Sequence, residues 1–137
     1  MYTSIEVKDH MLTKPVCVAG NAPLADAVDL ILRHKVSGLC VVDEDQRLLG
    51  VLSELDCLKG FMAATYNRSS VGVVSDYMTR EVDVVHTHDN LINIANEMLQ
   101  KGQRRRPVLE NGRLVGQITC RQMLGVVNEF SRSASYA

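Results

Sequence analysis

Apolar residues recur at helical spacing in two stretches of this chain. From Ala22 to Lys35 they stand at Leu24, Ala27, Val28, Ile31 and Leu32, and from Asp89 to Gly102 at Leu91, Ile94, Ala95, Met98 and Leu99. Steps of three and four lay such residues along one face of an α-helix. Pro23 suits a first helical turn, where a missing N–H removes no hydrogen bond. Asp89 is the expected N-cap of the second stripe and Gly102 its expected stop. A short β-prone run precedes each stripe, "PVCV" from Pro15 and "VDVV" from Val82. After each stripe, "GLCVVDEDQRLLGVLS" and "RRPVLENGRLVGQIT" read as strand, turn, strand. Asn111-Gly112 is a hairpin turn signal, because both residue types tolerate positive φ. A further helix is predicted behind each hairpin, over Glu54–Tyr66 and Cys120–Phe130.

The two halves of this pattern match one another. Asp9-His10-Met11 and Asp76-Tyr77-Met78 stand 67 positions apart, as do Leu24 and Leu91, and Val41 and Val108. Beyond the turn, Leu48 and Leu114, and Gly50 and Gly116, stand 66 apart. One residue is lost between "DEDQR" and "ENGR", where a turn absorbs the change. Two β-α-β-β-α repeats of about 60 residues follow. The fold class is α/β of the α+β kind, a small sheet in each repeat covered by two helices. A repeat this small is marginal alone, so the two are expected to close one core together. The expected boundaries are 1–66 for the first repeat with its N-terminal segment, 67–73 for a linker around "NRSSVG", 74–130 for the second repeat and 131–137 for a frayed tail.

Composition narrows the classes. The 137 residues are 46% hydrophobic and carry 15 basic against 16 acidic residues, for a net charge of -1. A nucleic-acid binder would carry a basic excess. "MYTSIEVKDH" has no apolar h-region of a secretory signal, and no apolar run reaches the length of a membrane span. The expectation is a soluble, cytoplasmic protein with neither nucleic acid nor membrane as partner. Of the four cysteines, Cys17 and Cys40 lie in apolar strand-like runs, and none forms a C-x-x-C pair. They read as small buried hydrophobes, not as a disulfide framework.

The order β-α-β-β-α, the run "VSGLCVVDEDQRLLGVLSELDCL" and its echo "GQRRRPVLENGRLVGQITCRQML" resemble a tandem of cystathionine-β-synthase (CBS) domains, a Bateman module, over Val7 to Phe130. The stand-alone members of that family are the nearest in build. The resemblance implies repeats packed through their sheets with pseudo-two-fold symmetry. It implies two clefts in which many members bind AMP, ADP, ATP, S-adenosylmethionine or related adenosyl compounds as regulatory ligands, with no cofactor required. It also implies a homodimer and a regulated partner protein.

In the first repeat, Ser53-Glu54-Leu55-Asp56 matches the family's hydroxyl-x-x-Asp element. A carboxylate there accepts hydrogen bonds from both ribose hydroxyls, and Ser53 reaches a ribose or phosphate oxygen near a helix start that favours anions. The same residues make a helix capping pattern, so two roles compete for Asp56. By resemblance, the backbone of Ser37, Gly38, Leu39 and Cys40 reads the adenine edge, and Gly38 permits close approach. Cys17 stands where many members carry a threonine facing the base, and cysteine is the poorer donor.

The second repeat departs from this pattern. Gln122 replaces the ribose carboxylate, within Thr119-Cys120-Arg121-Gln122, which fits a capping box. Arg105 aligns with Gly38. Arg104 or Arg106, with Arg121, is expected to hold phosphate, since guanidinium groups bind it as a fork. Strand alternation puts Arg104 and Arg106 on one face and Arg105 on the other. The Asp56 cleft is thus the better nucleoside site.

No catalytic set stands out. His86, His88 and Asp89 would make only a weak metal site before a helix start. Cys57 and Cys120 open the second helix of each repeat, where a thiol pKa can fall, yet no histidine is near in sequence. No G-x-x-x-x-G-K occurs, so ATP would be sensed and not hydrolysed. The expected role is a ligand-sensing regulatory module and not an enzyme. The competing role is a ligand-free dimeric scaffold with its clefts filled by side chains, and a weaker one is a redox or metal sensor.

Overall fold

A computed structural model describes residues 4–135. In chain order its elements are a 3-10 turn (Val7–Asp9), β1 (Leu12–Thr13), β2 (Cys17–Ala19), α1 (Leu24–His34), β3 (Gly38–Val42), β4 (Leu48–Ser53) and α2 (Glu54–Tyr66). A second 3-10 turn (Val74–Asp76), β5 (Val85–His86), α3 (Leu91–Lys101), β6 (Arg105–Glu110), β7 (Arg113–Thr119) and α4 (Cys120–Ser135) follow. The chain gathers into two compact units, Pro15–Val82 and Met1–Lys14 with Asp83–Ala137.

In the first unit, Pro15–Val82, the sheet runs β2-β3-β4, with β2 parallel to β3 and β3 antiparallel to β4. Parallel strands need a crossover, and α1 supplies it. The stripe read from the sequence buries Leu24, Ala27 and Ile31 in one cluster with Val18, Leu39, Val41, Leu52, Cys57 and Val74. Each large aliphatic side chain buried this way contributes roughly 1.5–3 kcal/mol.

In the second unit the sheet runs β1-β7-β6-β5. β5 is parallel to β6, and β7 is antiparallel to both β6 and β1. Its cluster holds Val7, Val85, Leu91, Ile94, Met98, Val108, Ile118, Met123 and Val126. The buried residues therefore form a cluster in each unit, where the sequence suggested one common core.

Each unit is completed by a segment that sequence order assigns to the other repeat. In the second unit, the N–H groups of Val7 and Lys8 donate to the carbonyls of Asp89 (3.0 Å) and Thr87 (2.8 Å), and the N–H of Leu91 donates to Ile5 (2.7 Å). In the first unit the matching bonds run from Val74 to Ala22 (2.9 Å), Ser75 to Gly20 (2.8 Å) and Leu24 to Gly72 (3.1 Å). Val7 and Val74, at matching positions, are both fully buried. The arms then run beside the hairpins, Leu12 opposite Gln117 and Thr79 opposite Val51. Here Gly50 and Gly116 are needed. A Cβ on Gly50 would lie 2.4 Å from the Thr79 carbonyl oxygen, and one on Gly116 would lie 2.7 Å from that of Leu12. The spatial units thus part at other points than the sequence repeats. Gly72 and Val73 are docked on the first unit, and the crossings fall after Lys14 and Val82.

The helix ends differ from expectation in three places. Asn90, not Asp89, caps α3, its side-chain oxygen accepting from the N–H groups of Ile92 (2.9 Å) and Asn93 (3.2 Å). The Asp89 carboxylate instead accepts from the His86 N–H (2.8 Å) and closes the preceding turn. Pro23 sits at the N-cap of α1, one residue before the first turn. α4 continues to Ser135 through much of the expected tail, and residues 136–137 lie outside those described. Gly102 ends α3 in the left-handed region as expected, at φ 65°. Its counterpart Lys35 ends α1 the same way at φ 54°.

Candidate functional site

The first unit brings Ser37 and Gly38 against Ser53 through Asp56. Gly38 opposes Ser53 across β3 and β4, and the Glu54 N–H donates to the Ser37 carbonyl at 2.9 Å. The chain therefore leaves β4 and enters α2 beside the start of β3. Ser53 caps α2: its hydroxyl oxygen accepts the Asp56 N–H, and Asp56 Oδ2 accepts the Ser53 N–H, both at 3.0 Å. The capping role anticipated for these residues is real, and it occupies one carboxylate oxygen. The other accepts no hydrogen bond among the described residues. Asp56 is half-buried, and the carboxylate is oriented by the helix it caps.

Leu39 and Cys40 continue β3 with their side chains buried. Cys17 lies across from Cys40 in β2, half-buried, and its thiol donates to the Pro15 carbonyl at 3.1 Å. Burial pushes the Cys17 thiol up. Burial also raises Cys57, followed by the charges of Asp56 and Glu54. The helix start, where a thiol pKa can fall, does not lower Cys57: burial and two neighbouring carboxylates work the other way. Cys120 is exposed.

The second unit repeats the backbone frame with other side chains. Arg105 opposes Thr119, and the Cys120 N–H donates to the Arg104 carbonyl at 3.0 Å. Gln122 Oε1 accepts the Thr119 N–H at 2.9 Å and also the Thr119 hydroxyl. The amide oxygen is consumed, no charge is present, and only the NH2 group remains to face a ligand.

The three arginines do not act as a set. Arg104 is exposed ahead of β6, and Arg105 and Arg121 are exposed as well. Arg106, one of the two alternatives with Arg104 for holding phosphate, is only 3% exposed. It occupies the position matching the core residue Leu39 and opposes the fully buried Ile118. Its Nε donates to Gln103 Oε1 at 2.8 Å, and Nη1 lies 3.8 Å from a Glu97 carboxylate oxygen. The pairing of residues 39 and 106 carried that signal in the sequence.

Elsewhere, His86 stands 3.8 Å from Asp89 and His88 3.3 Å from Glu6, both at the surface. Among the described residues no group of three or more His, Cys, Asp or Glu is placed to hold a metal ion. An open cavity of about 740 Å³ lies in the first unit around Gly20, Asn21, Asp43, Ser75 and Arg80. Of the candidate binding residues it touches Cys17 alone. No helix among the described residues is long and apolar enough to cross a membrane.

Two β-α-β-β-α repeats with a hydroxyl-x-x-acceptor turn at the start of the second helix define the class of protein. The family model described as "CBS domain" matches residues 7–63 and again 74–129, and the chain belongs to that family. It is 30% identical over 113 residues to an uncharacterized protein of Methanocaldococcus jannaschii, a match covering 82% of this chain and 39% of that one. It is 30% identical over 119 residues to a 17.7 kDa protein of Acidianus ambivalens, covering 86% of this chain and 70% of that one. The chain thus spans well under half of the first relative's length. Among solved structures, CBSX2 of Arabidopsis thaliana in complex with AMP superposes with a TM-score of 0.82 at 28% identity, over 93% of this chain and 99% of that one.

Proposed function

We propose that the protein is a ligand-sensing regulatory module that binds an adenosine compound at the first repeat, and that the bound state is read by a partner protein. One observation carries this reading: the half-buried Asp56 carboxylate is fixed beside Ser37 and Gly38 with one oxygen uncommitted. Adjacent ribose hydroxyls are matched donors for that oxygen, and the charge strengthens both bonds. The likeness to CBSX2, whose structure contains AMP, supports the same ligand class. Gly38 lets the main chain approach a base edge closely, and the N-terminal end of α2 favours an anion. The role in this reading is sensing. For sensing to reach a partner, the ligand must bind one conformation better than another.

Calorimetric titration with AMP, ADP, ATP and S-adenosylmethionine tests the reading. Saturable binding by the wild type is expected, with loss in Asp56→Asn. Asparagine keeps an oxygen for the cap and removes the charge, so a folded variant that binds undiminished overturns the assignment of Asp56.

A second reading, a dimeric scaffold, draws on a different observation. Leu55, Leu58, Met62 and Tyr66 of α2 stand at steps of three and four and are 58–89% exposed. A stripe of this kind on an otherwise well-packed helix suits a second copy of the chain. Sedimentation of Leu58→Glu is expected to show monomer where the wild type shows dimer. A dimer without nucleotide binding favours the scaffold.

A further inference from the structure

Five matched positions near the candidate site change character together between the repeats. In the first unit they are Val16, Leu30, His34, Val36 and Leu39, and 67 positions on they are Asp83, Glu97, Lys101, Gln103 and Arg106. Leu39 belongs to the first unit's core cluster, and Val16, Leu30 and Val36 are half-buried and packed against that cluster, an apolar corner that leads in sequence into Ser37 and Gly38. The backbone around both corners is the same. The Val36 N–H closes α1 on the Ile31 carbonyl (3.2 Å), and the Gln103 N–H closes α3 on that of Met98 (2.9 Å).

The second corner is a chain of polar contacts. Asp83 Oδ2 accepts from Lys101 Nζ (3.0 Å) and from Gln103 Nε2 (2.6 Å). Gln103 passes the contact on by accepting the buried Arg106 Nε, and Arg106 meets Glu97. Among the described residues Arg106 Nη2 is buried without a hydrogen bond, and the guanidinium is held by the Gln103 bond and the Glu97 contact. An apolar ring resting on Val16 and Val36 removes water from apolar surface. The same ring in the second corner would have to part Gln103 from Asp83 and Arg106, stranding a buried charge.

We infer that the Asp83–Gln103–Arg106 network is a specificity determinant: it closes the second repeat to the nucleoside base, leaving one ligand per chain at the first repeat. The inference rests on the reading that the first repeat takes an adenosine compound. Gln103 and Arg106 are positioning residues, and what they hold in place is a closed surface.

The test is the number of AMP molecules bound per chain by equilibrium dialysis. Two variants are compared with the wild type. One restores the other family features of the second repeat, Arg105→Gly with Gln122→Asp, and keeps the network. The other adds Asp83→Val, Glu97→Leu, Lys101→His, Gln103→Val and Arg106→Leu. One AMP per chain is expected for the wild type and the first variant, and two for the second. Two AMP in the first variant, or one in a folded second variant, overturns the inference. A wild type that binds none while the second variant binds one overturns the first-repeat assignment and leaves the network inference standing. Should the second variant not fold, the converse change settles it. Val16→Asp with Val36→Gln is expected to weaken AMP binding by about tenfold or more with Asp56 intact, and unchanged binding overturns the inference.

Discussion

The corner around Val16, Val36 and Leu39 and the corner around Asp83, Gln103 and Arg106 share one backbone and differ in every side chain that matters. In the first, helix end and sheet are joined by apolar contact. In the second they are joined by hydrogen bonds between charged and amide groups. Apolar contact is non-directional and tolerates loss of one member. A polar chain is directional, and removing its middle link leaves the buried member uncompensated. The two corners should therefore respond very differently to equivalent cuts.

Gln103→Ala is the sharpest cut, because it takes from Arg106 its Nε acceptor. The expected loss is about 3 kcal/mol in chemical denaturation. Val36→Ala, at the matching position, is expected to cost about 1 kcal/mol. Gln103→Val with Arg106→Leu, which removes both partners and installs the first repeat's residues, should recover most of the loss. Equal effects of the two alanine substitutions would erase the distinction between the corners.

A smaller contrast lies at the ends of α1 and α3. Both helices end on a residue in the left-handed region, Lys35 in one and Gly102 in the other. A side chain there is strained, and glycine is not. Lys35→Gly is expected to stabilise by about 1 kcal/mol and Gly102→Ala to destabilise by a similar amount. Thermal unfolding of both variants checks this, and a destabilising Lys35→Gly would mean that the lysine contributes something its backbone position does not reveal.

Much of this architecture was legible in the chain. The predicted span of α2, Glu54–Tyr66, is the observed one, and Asn111-Gly112 turns its hairpin with both φ positive. These features are local, set by spacing and by residues that tolerate particular torsions. The arms were not legible in the same way. Asp9-His10-Met11 and Asp76-Tyr77-Met78 announced that they are equivalent, but equivalent arms fit equivalent hairpins, and local pattern does not say which hairpin receives which arm. The cap of α3 was misplaced by one residue because Asp89 and Asn90 are both good acceptors and each is used. At the candidate site, the pairing of Ser53 with Asp56 was readable as a helix cap, and the structure adds that the cap leaves one oxygen of Asp56 uncommitted. Arg106 was read from its own residue type as a phosphate candidate; comparison with Leu39 shows that its position is a buried one.

The smallest expected effect concerns acid. Hydrogen bonds from Gln103 and then Lys101, with the nearby charges of Lys101 and Arg106, hold the Asp83 carboxyl below its ordinary value. A carboxyl depressed in the folded state binds its proton more weakly there than in the unfolded chain. Its contribution to stability is thus complete above the ordinary aspartate value, about 3.9, and fades as pH falls through the lower folded value. Asp83 stands at the surface, so solvent screens the effect and keeps it small. Asp83→Asn should flatten the acid limb of the stability curve of the whole chain while leaving its shape above the carboxylate range unchanged. Val16 has no proton to exchange, and Val16→Ala should leave the acid limb alone. If Asp83→Asn leaves the limb as steep as in the wild type, Asp83 is a surface carboxylate with no stake in folding, and the polar corner begins at Gln103.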